Sequence, residues 1–102
     1  MIAEEPLVVP LEGEWDVYRV PELDQRLQPA YTAPQVILDL TSATYIDSTC
    51  LGALVRMRKA RDARALGPAR LVISSPMVLR IFEIVRLDRV WPIYDSVEAA
   101  RG

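Results

Sequence analysis

A chain of 102 residues with a formal charge of −2 and a pI near 5.1 has room for one core and nothing to attract a polyanion, which argues against nucleic acid as a ligand. With no histidine and one cysteine it lacks the usual general base for a serine or cysteine nucleophile, an internal disulfide and the donor set of a zinc site, so most enzymatic readings end there. No apolar run approaches the ~20 residues of a membrane span, and the N-terminal MIAEEPLVV carries acids where a signal peptide carries bases, which points to a cytoplasmic protein without a membrane partner.

The first predicted strand is Pro6–Leu11, placed at a sheet edge because Pro10 cannot donate to a ladder. Gly13 turns the chain, and Trp15 with Val17 suggests a second short strand. Pro21 suits a first helical position, and Leu23, Leu27 and Ala30 follow at helical spacing. Gln35–Leu40 is the clearest strand: its unbroken Val36-Ile37-Leu38 run is the pattern of a parallel strand covered on both faces. The longest helix is predicted over Thr49–Ala65, with Cys50, Ala53, Leu54, Met57 and Ala60 inward and Arg56 and Lys59 outward; Gly67-Pro68 stops it. Its cations Arg56, Arg58, Lys59, Arg61 and Arg64 read as a solvated face with intrahelical pairs rather than a partner patch. Arg70–Ser74 is the next buried strand, and a helix from Pro76 presents Val78, Ile81, Phe82 and Val85. Ser74-Ser75 ahead of Pro76 reads as a cap rather than a modification site. A last strand, Trp91–Tyr94, precedes a terminal helix through Ala100 capped by Asp95 or Ser96. The alternation implies a single α/β domain over 1–102: a small mixed, mostly parallel β-sheet with its N-terminal strand at an edge, packed with about four α-helices.

Asp47-Ser48-Thr49-Cys50 gathers an acid, two hydroxyls and a thiol ahead of the longest helix. On residues alone, a plain cap by Asp47 or Ser48 is the commoner meaning and a modification target the rarer one. Cys50 lacks a basic neighbour in sequence, so a reactive thiol has little to support it. Asp39 as a phospho-acceptor would need acids near the first strand and a late lysine; Lys59 is the last lysine, and Asp39 reads as a strand-end residue.

Four ordered stretches bear on that choice: Leu11-Glu12-Gly13-Glu14-Trp15-Asp16, the VILDL strand, the IDSTCLGALV block, and the SSPMVLRIFEIVRLDRVWPIYDSVEAA ending. Together they resemble the STAS domain family, and within it the bacterial anti-sigma-factor antagonists, over nearly the whole chain. The resemblance implies a non-enzymatic regulator. Unphosphorylated, it would bind an anti-sigma factor that is also a serine kinase and so free a sigma factor. It would be switched off by phosphorylation at Ser48, with Thr49 the lesser acceptor, and reset by a phosphatase. Asp16, Asp47, Ser48, Thr49, Cys50, Leu51 and Gly52 fall on the implied partner-binding positions. No cofactor is implied for the chain itself, since ATP belongs to the partner kinase. Cys50 stands where the family motif has glycine, a departure that bears on partner choice and kinase access. The alternative within the resemblance is a non-phosphorylated STAS subunit of a stress-signalling scaffold or a lipid-transport complex.

Overall fold

A computed structural model describes residues 5–102; Met1–Glu4, part of the acidic leader and of the expected 1–102 domain, lie outside them. The order is β1 (Leu7–Pro10), β2 (Gly13–Trp15), a 3-10 turn (Val17–Arg19), α1 (Val20–Leu27), β3 (Val36–Asp39), β4 (Ala43–Ile46), α2 (Ser48–Ala63), β5 (Arg70–Val72), α3 (Pro76–Ile84), β6 (Ile93–Tyr94) and α4 (Val97–Arg101). The main sheet runs β1-β3-β5-β6, and β2 pairs with β4 in a separate two-stranded ladder. All strand pairs among the described residues are parallel, so the sheet is more uniform than the mixed one expected. β1 lies at the edge, where its proline is harmless.

Strand β3 shows why its apolar run is unbroken. Val36 and Leu38 enter the main core with Leu23, Leu54, Met57 and Phe82. Ile37 points to the other face and packs with Val72 and Ala100, against Val97 of α4. Burial on both faces follows from side chains alternating across a strand whose two sides both carry helices. Asp39 ends the strand by accepting from the Thr41 backbone N–H (3.0 Å) and from the Thr41 hydroxyl, a turn-forming role.

The helix starts follow the sequence closely. Pro21 and Pro76 occupy first-turn positions, and Ser75 and Ser96 accept from the backbone N–H groups of Val78 (3.4 Å) and Ala99 (3.1 Å). Several expectations need correction. The second strand ends at Trp15, because Asp16 caps a 3-10 turn and draws Val17 into it. Strand β4 lacks the alternation of a half-buried strand, since only Ala43 and Ile46 turn inward and Thr44 and Tyr45 face out. Val85 caps α3 and is exposed rather than facing the core.

Helix α2 ends earlier than Gly67-Pro68 would dictate. Its last residue is Ala63, and the Leu66 N–H donates to the Arg61 carbonyl (2.9 Å) while the Ala65 N–H donates to that of Asp62 (3.0 Å). This is a Schellman ending whose left-handed position is Ala65, at φ 57°, where glycine is favoured. Arg61 is not part of a solvated face: it is buried, and its guanidinium donates to the carbonyls of Ala30 (2.7 Å), Ala33 (2.6 Å), Pro34 (3.2 Å) and Gly67 (2.9 Å). Of the other cations in that group, Arg58 pairs within the helix with Asp62 (3.4 Å) and Arg56 reaches Asp24 of α1 (3.6 Å).

Candidate functional site

The small ladder builds the site. Trp15 and Ile46 are register partners in β2 and β4, and the Asp47 N–H donates to the Trp15 carbonyl (2.9 Å). Parallel strands leave a sheet edge in the same direction, so the residues that follow, Asp16 and Asp47, emerge side by side although 31 positions apart in sequence.

Each acid caps the element after it. Asp47 has extended backbone (φ −96°, ψ 174°), and its carboxylate accepts from the Cys50 N–H at 3.0 Å. That resolves the choice between Asp47 and Ser48 as cap: Asp47 is the cap and Ser48 the first helical residue. Asp16 accepts from the Tyr18 N–H at 3.0 Å and starts the 3-10 turn. Between them lies the start of α2, where Ser48 and Thr49 are both exposed. A sixteen-residue helix concentrates free N–H groups and the positive end of its dipole there, so an added anion meets a favourable field.

Cys50 and Leu51 are placed otherwise. Their side chains are buried in the main core, at 0% and 4% exposure, because positions 50, 51, 54 and 57 form the inner stripe of α2. Neither side chain can touch a partner, which corrects the expectation that both contribute to partner contact; any influence on binding is indirect. The Cys50 thiol donates to the Asp16 carbonyl (3.3 Å). Burial, reinforced by the neighbouring Asp47 charge, pushes the thiol up to about 12, so it stays protonated and unreactive at neutral pH. Gly52 is half-buried, and the nearest atom to a Cβ built there is Arg56 Nη1 at 3.8 Å. Among the described residues no contact therefore demands glycine at that position.

Exposed apolar groups, which sequence pattern did not single out, border the same region. Val17 and Tyr18 are 50% and 89% exposed on the turn after Asp16, and Tyr45, 42% exposed, lies on β4 just before Asp47. Their signal in the sequence was weak: an isolated valine or tyrosine carries no pattern that separates core from surface. Behind the turn, Arg19 lies 3.5 Å over the Trp15 ring, donates to the carbonyls of Glu12 (2.9 Å) and Glu14 (3.0 Å), and pairs with Glu22 (3.0 Å). The hydrogen bond from Arg19 lowers the Glu22 carboxyl below its usual range. Gly13 belongs to this arrangement: its φ is +87°, and a Cβ there would approach Arg19 Nη1 to 3.3 Å.

The surface is chemically spare. Among the described residues no cluster of three or more His, Cys, Asp or Glu could hold a metal, and no helix is long and apolar enough to cross a membrane. Clefts of about 270 and 430 Å³ are lined by Pro34, Val36, Pro68 and Arg70 and by Ile73, Leu79, Ile93 and Tyr94, none of them part of this surface. What the arrangement offers is a surface patch: two capping acids, two free hydroxyls and three exposed apolar side chains.

This fold and this helix start define a class. The family model of the STAS domain matches residues 2–100, and the chain belongs to that family. Among known relatives, the anti-sigma-B factor antagonist of Staphylococcus aureus is 33% identical over 92 residues, spanning 88% of this chain and 84% of that protein. The crystal structure of an anti-sigma factor antagonist from Mycobacterium paratuberculosis is similar with a TM-score of 0.76 at 26% identity, covering 91% of this chain and 80% of that one. The Bacillus cell fate determinant SpoIIAA in its phosphorylated form is similar with a TM-score of 0.68 at 22% identity, covering 98% and 92%; at that identity the likeness concerns the fold.

Proposed function

We propose that this chain is an anti-sigma-factor antagonist. Unphosphorylated, it binds an anti-sigma factor that is a serine kinase, and a sigma factor is released as a result. The kinase transfers the γ-phosphoryl group of its own bound ATP to Ser48 Oγ; the hydroxyl proton passes to a base on the kinase, ADP leaves, and the complex dissociates. A phosphatase restores the hydroxyl by hydrolysis. The chain contributes no catalysis and acts in the cytoplasm.

The observation that carries this reading is the exposed Ser48 hydroxyl at the first position of α2, directly behind the Asp47 cap. Phosphoserine carries about −1.5 to −2 charge at neutral pH. At a helix N-terminus that charge is tolerated by the fold, so its effect falls on the interface, where an uncompensated buried charge costs several kcal/mol. Asp16 and Asp47 beside it add like charge. The names of the Staphylococcus and Mycobacterium relatives support the same role.

The test is incubation with the organism's own anti-sigma serine kinase and ATP, with mass mapping of the product. One phosphate on Ser48 is expected, absent in Ser48→Ala. Ser48→Asp should unfold at the same denaturant concentration as wild type and bind the kinase at least about tenfold more weakly, a difference of about 1.4 kcal/mol. A Ser48→Asp variant that folds normally and binds as tightly as wild type sinks the switch. Absence of any phosphate on residues 47–50 would favour the scaffold or transport-subunit role instead.

A further inference from the structure

Cys50 makes two hydrogen bonds that converge on the acids of the candidate surface. Its backbone N–H donates to the Asp47 carboxylate (3.0 Å) and its thiol donates to the Asp16 carbonyl (3.3 Å). The Asp16 carbonyl accepts at the same time from the Arg19 N–H (3.0 Å), which closes the 3-10 turn carrying Val17 and Tyr18. The β2–β4 ladder ends one residue earlier, at Trp15 and Ile46. Among the described residues the thiol contact is the one hydrogen bond recorded between residues 16–19 and the first turn of α2. The cysteine is wholly buried, so no water competes for its proton.

We propose that Cys50 is a positioning residue: its thiol fastens the Asp16–Arg19 turn to the start of α2 and so holds Asp16 and Tyr18 at a fixed distance from Ser48. A glycine at this position offers no side-chain donor, and an alanine fills part of the space but cannot donate. A serine hydroxyl can restore the bond after a shift of a few tenths of an ångström. That the tie sets affinity for the anti-sigma kinase rests on the function proposed above; the tie itself does not.

The experiment compares wild type, Cys50→Ala and Cys50→Ser by amide hydrogen exchange and, separately, by binding to the anti-sigma kinase. In Cys50→Ala the Tyr18 and Arg19 amides, both bonded to Asp16, should exchange about three- to tenfold faster relative to the Leu40 and Leu71 amides of the main sheet. In Cys50→Ser they should stay within about twofold of wild type. Kinase affinity should fall about threefold or more in the alanine variant and recover in the serine variant. Equal protection of Tyr18 and Arg19 in all three proteins overturns the tie. So does faster exchange spread evenly over turn and sheet, which would mean general loosening, or an equal rise in the alanine and serine variants. If wild type neither binds the kinase nor accepts phosphate, the proposed function falls and the exchange comparison still decides the role of the thiol.

Discussion

The two ends of α2 are built on opposite plans. At its C-terminal end a cation is taken inside: the Arg61 guanidinium satisfies four backbone carbonyls from the segment after α1 and the loop after α2. At its N-terminal end the polar groups stay outside, and the helix is closed by a single carboxylate with Ser48 and Thr49 left free. The first end is architecture, and its polar chemistry is used up within the chain. The second keeps unspent hydroxyls in a field that favours an anion. Within one helix, burial of polar groups separates what holds the fold from what faces a partner.

The largest expected effect is at the closed end. Arg61→Ala removes the donor from four carbonyls, that of Ala30 in a buried contact and the other three in part-buried ones; a buried unsatisfied group costs about 1–3 kcal/mol, so a loss of about 2 kcal/mol or more is expected in denaturant unfolding. That is a large share of the stability of a small domain, typically about 5–15 kcal/mol. Arg61→Lys should not restore it, because an ammonium cannot reproduce the planar fork that reaches carbonyls on two segments. If Arg61→Ala costs no more than an ordinary surface substitution, the contrast between the ends collapses.

At the open end, Asp47→Ala should cost only about 1 kcal/mol, the worth of an N-cap. Smaller still are two exchanges that trade glycine between the ends. Gly52→Ala and Ala65→Gly should each stabilise by about 0.5–1 kcal/mol, the first by helix propensity and the second by relieving a left-handed alanine. Denaturant midpoints measure both. Gly52→Ala sharpens the comparison further: kinase affinity that falls while stability rises would mean the partner's backbone approaches α2 there.

The last effect is absent at neutral pH and appears only in alkali, as a pH dependence. The Cys50 thiol is raised in the folded state to about 12 from an ordinary value of 9.0, so between those values the folded protein holds a proton that the unfolded chain releases. Its contribution is complete below pH 9 and is lost as pH rises toward 12. Stability measured from pH 8 upward should therefore fall more steeply for wild type than for Cys50→Ala. Parallel curves would show that the thiol has no raised pKa.

Most of the main sheet was legible in the sequence because its signals are redundant. Val36-Ile37-Leu38 is apolar on both faces, and Pro21, Pro76 and Ser96 mark helix starts by mechanisms that need no tertiary context. The IDSTC turn was legible through its resemblance to the family motif, and its exposed hydroxyl follows from Asp47 taking the cap. What escaped depended on distant partners. Arg61 reads as a surface charge until carbonyls from residues 30–34 come within 3.2 Å. β4 escapes because its register shifts between Gly13 and Glu14, so that only its two end residues turn inward. Ala65 escapes because the helix stops at Ala63 on a hydrogen-bond pattern, four residues before the glycine that marks its end in the sequence.

That register shift carries an evolutionary and engineering consequence. Gly13 pairs with Ala43 but Glu14 pairs with Tyr45, so Thr44 is an extra residue bulged out of the ladder. The bulge absorbs Thr44, and it is the pairing of Glu14 with Tyr45 and of Trp15 with Ile46 after it that makes Asp16 and Ser48 neighbours. Thr44 should accept many replacements and even deletion, which leaves Ala43 inward, Tyr45 outward and Ile46 inward, the plain alternation of a strand, with Asp16 and Asp47 still level. Across related chains, a one-residue gap should be tolerated at position 44 and be far rarer between residues 45 and 48.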